Sequence, residues 1–317
     1  MMLDSTQAHA DEALLQLGKR LKADGYRFIC VTPATQARVN AREGSQRAQT
    51  MRDVFGWSRP FASQLISADE LEQLRVAGVL DAQGALWRST VRWSSLDEML
   101  LVHSAWPTDS HDAVFFGPDS YRFAQCIQDH LRSRPEPVQH ALDMGCGSGV
   151  GALLIARAAP HAQVSAVDIN PKALRYTAVN AALAGVSNIT VSRSDLFDEV
   201  TGLFDLIVAN PPYMLDAEHR AYRHGGAALG AELSLRIVEQ ACERLKVGGT
   251  LLLYTGVAIV DGRDAFQEAI RSILAGPELG WTYQELDPDV FGEQLLEPGY
   301  DRVDRIAVTA LTVTRLN

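Results

Sequence analysis

The sequence predicts an α/β fold, a doubly wound, mostly parallel sheet of about seven strands preceded by a smaller α+β region. Three observations predict it. From about residue 138 short apolar runs alternate with helical patterns; one such run passes through Gly145, Gly147 and Gly149 straight into a helix; and the last two strand-like runs alternate as antiparallel edge strands do. In chain order, residues 1–113 contain an amphipathic helix at about 10–23 (Leu14, Leu17, Leu21), a strand-like YRFICV segment and a helix near 68–77. The stretch from Leu71 to Val102 has the outline of a winged helix, a helix followed by a hairpin. FFGPDS (115–120) reads as the join, which divides the chain into a substrate-recognition region at 1–113 and a second domain at 114–317.

In that second domain VQHALDM (138–144) is the first strand, and the helix after the glycine turn stops at Pro160. QVSAVDI (163–169) is the second, followed by Asn170 as N-cap, Pro171 at the first helical position and Gly185 at the helix end. ITVSRSD (189–195) and FDLIVAN (204–210) are the next strands, and the latter is apolar on both faces as a buried parallel strand should be. A helix over 231–245 carries Ile237, Val238, Ala241 and Leu245, and TLLLYTG follows it as a strand. After a helix at 263–275, WTYQEL (281–286) and RIAVTALTVTR (305–315) complete the sheet as an antiparallel pair.

Composition narrows the function. Across 317 residues, 29 Lys+Arg against 39 Asp+Glu give a net charge of −10, which disfavours a polyanionic partner. Residues 27–59 are locally basic through Arg27, Arg38, Arg42, Arg47, Arg52 and Arg59, a pattern that fits a solvated face better than a phosphate contact. Cys30, Cys126, Cys146 and Cys242 form no CxxC, which argues against a zinc site and a disulfide framework. No apolar run is long enough to span a bilayer, and the expected location is the cytoplasm. Trp57, Trp87, Trp93 and Trp106 read as core of the N-terminal region rather than as a pocket lining.

The chemistry concentrates in two motifs. DMGCGSG (143–149) has the strand–turn–helix setting of a nucleotide-cofactor loop, but Asp143, two residues before the first glycine, would repel a pyrophosphate and suits an ammonium or sulfonium. That points to S-adenosylmethionine. Asp168, ending the second strand, is placed to accept from ribose hydroxyls, and Asp195, after the third, from an adenine amine. Asn210-Pro211-Pro212-Tyr213 ends the fourth strand: two prolines stiffen the turn and remove two donors, leaving the Asn210 amide oxygen and the Pro211 carbonyl as acceptors for an amino group, with Tyr213 as a stacking face. Two acceptors can hold a planar, weakly nucleophilic nitrogen in line with a methyl group.

DMGCGSG, AVDIN, SDLF and NPPY, in this order, resemble the class I S-adenosylmethionine methyltransferases, specifically the small-methyltransferase-domain branch with the HemK-like protein-glutamine N-methyltransferases. The resemblance covers roughly 115–260. It implies a seven-stranded Rossmann-like methyltransferase sheet, with Asp143, Gly145, Cys146, Gly147 and Gly149 around the methionine part of the cofactor. It also implies Asp168 with Ile169 at the ribose, Asp195 with Leu196 at the adenine, and Asn210, Pro211, Pro212 and Tyr213 at the substrate nitrogen, with Asn210 touching the cofactor as well. GPDSY (117–121) matches the loop that covers the cofactor, which would bring Phe116 and Asp119 near the site. His219 and His224 fall in a loop placed as a lid, where either could take the departing proton, and Cys146 is assigned no chemistry. The expected function is N-methylation of an amide or guanidine nitrogen on a protein glutamine or a free amino-acid-like molecule, with no metal. The alternatives are a nucleobase amine in RNA or DNA, and a cofactor-binding regulatory or scaffold protein that transfers nothing.

Overall fold

The computed structural model describes residues 5–216, 218 and 220–317; His219 therefore lies outside the described residues. The N-terminal region contains helices α1 (Ser5–Ala23), α2 (Pro33–Asn40), α3 (Met51–Phe55) and α4 (Ala68–Val76). Two hairpins follow, β1 (Leu80–Gln83) with β2 (Leu86–Ser89) and β3 (Val91–Leu96) with β4 (Met99–Ser104). Side-chain caps fix the helix starts: Thr32 Oγ1 accepts from the Thr35 amide at α2, and Ser67 and Glu70 form a reciprocal capping box at α4. The strand expected at YRFICV does not form. Its backbone groups are satisfied singly instead: Ser95 N donates to Phe28 O at 2.7 Å, and Cys30 N to the Tyr121 hydroxyl at 3.0 Å.

Helix α5 (Pro118–Ser133) leads into the alternating part: β5 (His140–Met144), α6 (Val150–Ala158), β6 (Gln163–Asp168), α7 (Pro171–Ala184), β7 (Ile189–Arg193) and β8 (Phe204–Ala209). Then come α8 (Glu232–Arg244), β9 (Leu245–Val260), the short β10 (Arg263–Asp264), α9 (Ala265–Ile273), β11 (Leu279–Asp287) and β12 (Arg305–Arg315). The strands run in the order β11-β12-β9-β8-β5-β6-β7, with β10 attached to β9. The five from β9 to β7 are parallel, whereas β12 and β11 add antiparallel. The predicted α/β sheet with its antiparallel edge pair is the one observed. One boundary moves: Leu245, read as the end of a helix, opens β9 opposite Phe204, because Gly248 at φ +77° lets the strand bend without ending.

The sheet is covered on both faces. Phe123 and Ile127 of α5 and the apolar face of α6 pack on one side, while Ile237, Val238 and Ala241 of α8 and Phe266 and Ile270 of α9 pack on the other. Helix α7 is shared. Its Tyr176, Val179 and Leu183 join Leu14, Leu21 and the fully buried Trp93 in a third core that seats the N-terminal region on the sheet. Buried Asn180 ties this join by hydrogen bonds: its Oδ1 accepts from Val102 N of β4 at 2.7 Å, and its Nδ2 donates to Val102 O and, at 2.9 Å, to Ser148 O in the glycine loop. No helix among the described residues is long and apolar enough to cross a membrane.

Candidate active site

A cleft of about 1370 Å³ opens at the carboxyl ends of β5, β6, β7 and β8, the edge where open α/β sheets present their loops. Its floor is the glycine loop. Cys146 N donates to Val167 O at 2.9 Å, and Gly147 N donates to Asp168 Oδ2 at 3.0 Å, so the loop is pinned across β6. Gly149 enters α6 at φ +82°, and a β-carbon there would lie 2.9 Å from Thr177 Cγ2. It therefore shapes the loop from beneath and is the one predicted loop glycine that does not line the cleft.

Asp143 is buried at the cleft floor, where its Oδ2 accepts from Ala152 N at 2.7 Å in the first turn of α6. Burial pushes its carboxyl up to about 7 against the stabilising pull of that amide, with the neighbouring charge of Asp168 adding to the rise. Asp168 is raised by burial as well, although Asn170 N at 2.9 Å and Gly147 N both donate to it. Ile169, Asp195 and Leu196 line the cleft beyond it, with Asp195 exposed at the lip and Leu196 held at φ +47°. Burial drives the Cys146 thiol far above its usual range, which agrees with reading it as a small loop residue rather than a nucleophile.

The Asn210–Tyr213 turn forms the wall beside the glycine loop. All four of its residues line the cleft. Among the described residues, nothing donates to or accepts from the Asn210 carboxamide, so its oxygen and nitrogen face the cleft uncommitted. Tyr213 lines the cleft, as expected of a stacking face. Its ring lies on the backbone of β9 at Gly256, where a β-carbon would be 2.4 Å from Cδ2, and its hydroxyl lies near the Asp119 carboxylate. Buried Asp119 also accepts from the Tyr254 hydroxyl at 2.8 Å and from Arg122 Nη1 at 3.2 Å. Tyr213 is thus a wall anchored at its ring.

The chain beyond the turn folds back on it. Met214 N donates to Arg223 O at 3.0 Å, Gly225 N donates to Met214 O at 2.8 Å, and Gly225 and Gly230 press directly on the turn's backbone. Tyr222 then stacks on Phe115, with centroids 5.9 Å apart and planes 6° apart, and its hydroxyl donates to Thr108 O at 2.7 Å. Segment 108–115 and the 220–224 loop so form a roof. His224 stands outside the lining and receives the Asp216 amide on Nδ1 at 3.3 Å. Phe116 is also corrected: it is buried against His103 and Tyr121 in the core, and its neighbour Phe115 faces the cleft. Two adjacent phenylalanines gave no pattern to say which one turns inward. Phe115 was missed for that reason, and Tyr222 and Phe291 because packing between distant loops brings them to the cleft, whereas the HGG at 224–226 carried a signal for the folded-back loop.

The fold is a doubly wound α/β sheet with its cleft at the carboxyl ends of the parallel strands. Residues 112–259 match the family described as "Methyltransferase small domain". It is 37% identical over 141 residues to a release factor glutamine methyltransferase of Rhodopirellula baltica, covering 40% of this chain and 47% of that one. It is 32% identical over 203 residues to a ribosomal protein uL3 glutamine methyltransferase of Neisseria gonorrhoeae, covering 58% and 64%. The chain thus spans about half to two thirds of the length of these relatives. Among solved structures, Trm5b from Pyrococcus abyssi shares the fold with a TM-score of 0.50 at 18% identity, over 74% of this chain and 62% of that one.

Proposed function

We propose that the chain transfers a methyl group from S-adenosylmethionine to the side-chain amide nitrogen of a glutamine in a protein. The observation that carries this reading is the uncommitted Asn210 carboxamide on a proline-stiffened turn beside the pinned glycine loop. The glutamine methyltransferases that match this chain supply the choice of amide over other planar nitrogens. The donor set suits the cofactor: Asp143 faces a cationic group, Asp168 sits where ribose hydroxyls donate, and Asp195 stands at the lip for an adenine amine. When bound, the cofactor supplies a methyl group on a positively charged sulfur, already activated as a leaving group.

The protein's part is orientation. Asn210 Oδ1 and the Pro211 carbonyl accept the two N–H groups of the amide, which turns the nitrogen lone pair toward the methyl carbon. Tyr213, its ring seated on Gly256, confines the amide plane. The Phe115–Tyr222 roof excludes water. The defining experiment incubates the protein with methyl-labelled S-adenosylmethionine and a cell extract fractionated into protein, RNA and small molecules. Label on glutamine in the protein fraction is the expected result, and label confined to RNA would overturn the reading.

Two further outcomes follow from the geometry. Gly256→Ala would push the Tyr213 ring off β9 and is expected to lower turnover by about tenfold or more with cofactor affinity unchanged. Steady-state kinetics beside calorimetric titration checks it. Asp143 gives a pH dependence: below about 7 its carboxyl holds a proton that a cationic cofactor must expel. Affinity for S-adenosylmethionine should therefore rise by up to about tenfold per pH unit toward 7 and level off above it. Asp143→Asn should flatten that slope, and an unchanged slope in the variant would exclude Asp143 as its source.

A further inference from the structure

A second cavity of about 940 Å³ lies behind the first and shares Phe115, Asp119 and Phe291 with it. It is walled by residues 30–34 at the start of α2, by Arg92 and His103 of the β3–β4 hairpin, and by residues 287–293 between β11 and β12. Arg92 is only 5% exposed, and every partner it has is neutral. Its Nη2 donates to Gln36 Oε1 at 3.1 Å, its guanidinium lies 5.3 Å from the Phe28 ring centroid, and among the described residues its Nε has no partner. An arginine cannot shed its proton to escape such a site, and a buried cation without an anion is costly to keep.

The surroundings make the missing anion more specific. Thr32, Pro33 and Ala34 bring the N-terminus of α2 to the same cavity, adding partial positive charge. His103 contributes no charge, since both ring nitrogens are engaged by Ser94 Oγ at 2.8 Å and Ser104 O at 3.0 Å, and burial keeps it neutral. The acidic groups belong to other walls. Asp119 and Asp287 are paired with Arg122, and Asp289 and Glu293 sit exposed on the 287–293 segment. A flat carboxylate matches the planar guanidinium fork.

We propose that this cavity is the subsite for a carboxylate of the methyl-accepting substrate, held by Arg92 and the α2 N-terminus. The proposal rests on the reading of the Asn210 turn as the acceptor site, because the two cavities meet at Phe115 and Phe291. The carboxylate is one of the substrate protein, at its C-terminus or on a nearby acidic side chain; a preference for the free amino acid, whose ammonium the acidic 287–293 segment would receive, would instead make the acceptor a small molecule.

Calorimetric titration of the full chain, with S-adenosylhomocysteine present, decides this with matched probes. The first pair is L-glutamine and L-glutaminamide; the second is a peptide ending in glutamine and its C-terminal amide; the third is a capped glutamine peptide with a nearby glutamate or its neutral glutamine counterpart. At least about tenfold tighter binding of the carboxylate member is expected in one pair, and that pair names the source. Arg92→Gln should abolish the preference with cofactor affinity unchanged. Since Arg92 is buried, Ala34→Glu is the companion variant: it puts a negative charge at the exposed start of α2 and should abolish the preference too. Equal binding within all three pairs, or a preference that survives Ala34→Glu, overturns the proposal. Labelled methyl transfer to glutamine without any preference sinks the subsite alone, whereas a preference without transfer sinks the acceptor reading.

Discussion

Replacing Asn210 with alanine is expected to cut turnover by about a hundredfold or more while leaving affinity for S-adenosylmethionine within about threefold. An amide nitrogen is a poor nucleophile because its lone pair is delocalised, so the reaction depends on holding that nitrogen where the lone pair meets the methyl carbon. In this cleft the Asn210 carboxamide is the side chain placed for it, uncommitted to any described neighbour and set on two prolines that cannot relax toward another partner. Its removal opens no core cavity, since Asn210 is only half-buried. Thermal stability should stay near that of the parent. Single-turnover label transfer beside calorimetric cofactor binding separates the two effects, and turnover within about threefold of wild type would remove Asn210 from the mechanism.

Gly225→Ala should be nearly as damaging for a different reason. A β-carbon there would lie 2.1 Å from Gly230 O, 2.7 Å from Pro212 O and 2.8 Å from Tyr213 Cα. All three are backbone atoms, so no side chain can rotate away to make room, and the strain must displace the turn itself. Overpacking of this kind costs about 1–3 kcal/mol of stability. The catalytic loss should exceed what that figure suggests, because the displaced element is the one that orients the amide. The glycine loop lies on other strands, so cofactor affinity should hold; a parallel collapse of cofactor binding would show instead that the two walls are one mechanical unit.

Much of this was legible in the residues. The βαβ alternation, Pro171 and Gly185 as helix punctuation, and the alternating 305–315 run each follow from local rules, and the sheet obeys them. The glycine loop and the Asn210 turn were legible because their chemistry sits in consecutive residues. What was not legible depended on packing between distant segments. YRFICV has strand composition, yet its backbone is satisfied by Ser95 and Tyr121 rather than by a ladder. That the Tyr213 ring would be seated on Gly256, on another strand, could not be read from its neighbours in the chain. Arg92 was indistinguishable from any surface arginine, since its isolation is made by Gln36 and Phe28 from elsewhere in the chain.

Asn180 has a consequence for what this protein can become. Its one carboxamide holds the edge of β4 and the glycine loop together, and the helix that carries it is also the seat of α1. Any change to the N-terminal region that shifted β4 would be felt at the cofactor loop, so that flank is not free to drift. The opposite flank, from the exposed start of α2 through the arginine-bearing 38–47 stretch, contributes no described residue to the core that α7 joins. A new acceptor preference would have to be written there, on the side of the molecule that can be altered without disturbing the methyl donor.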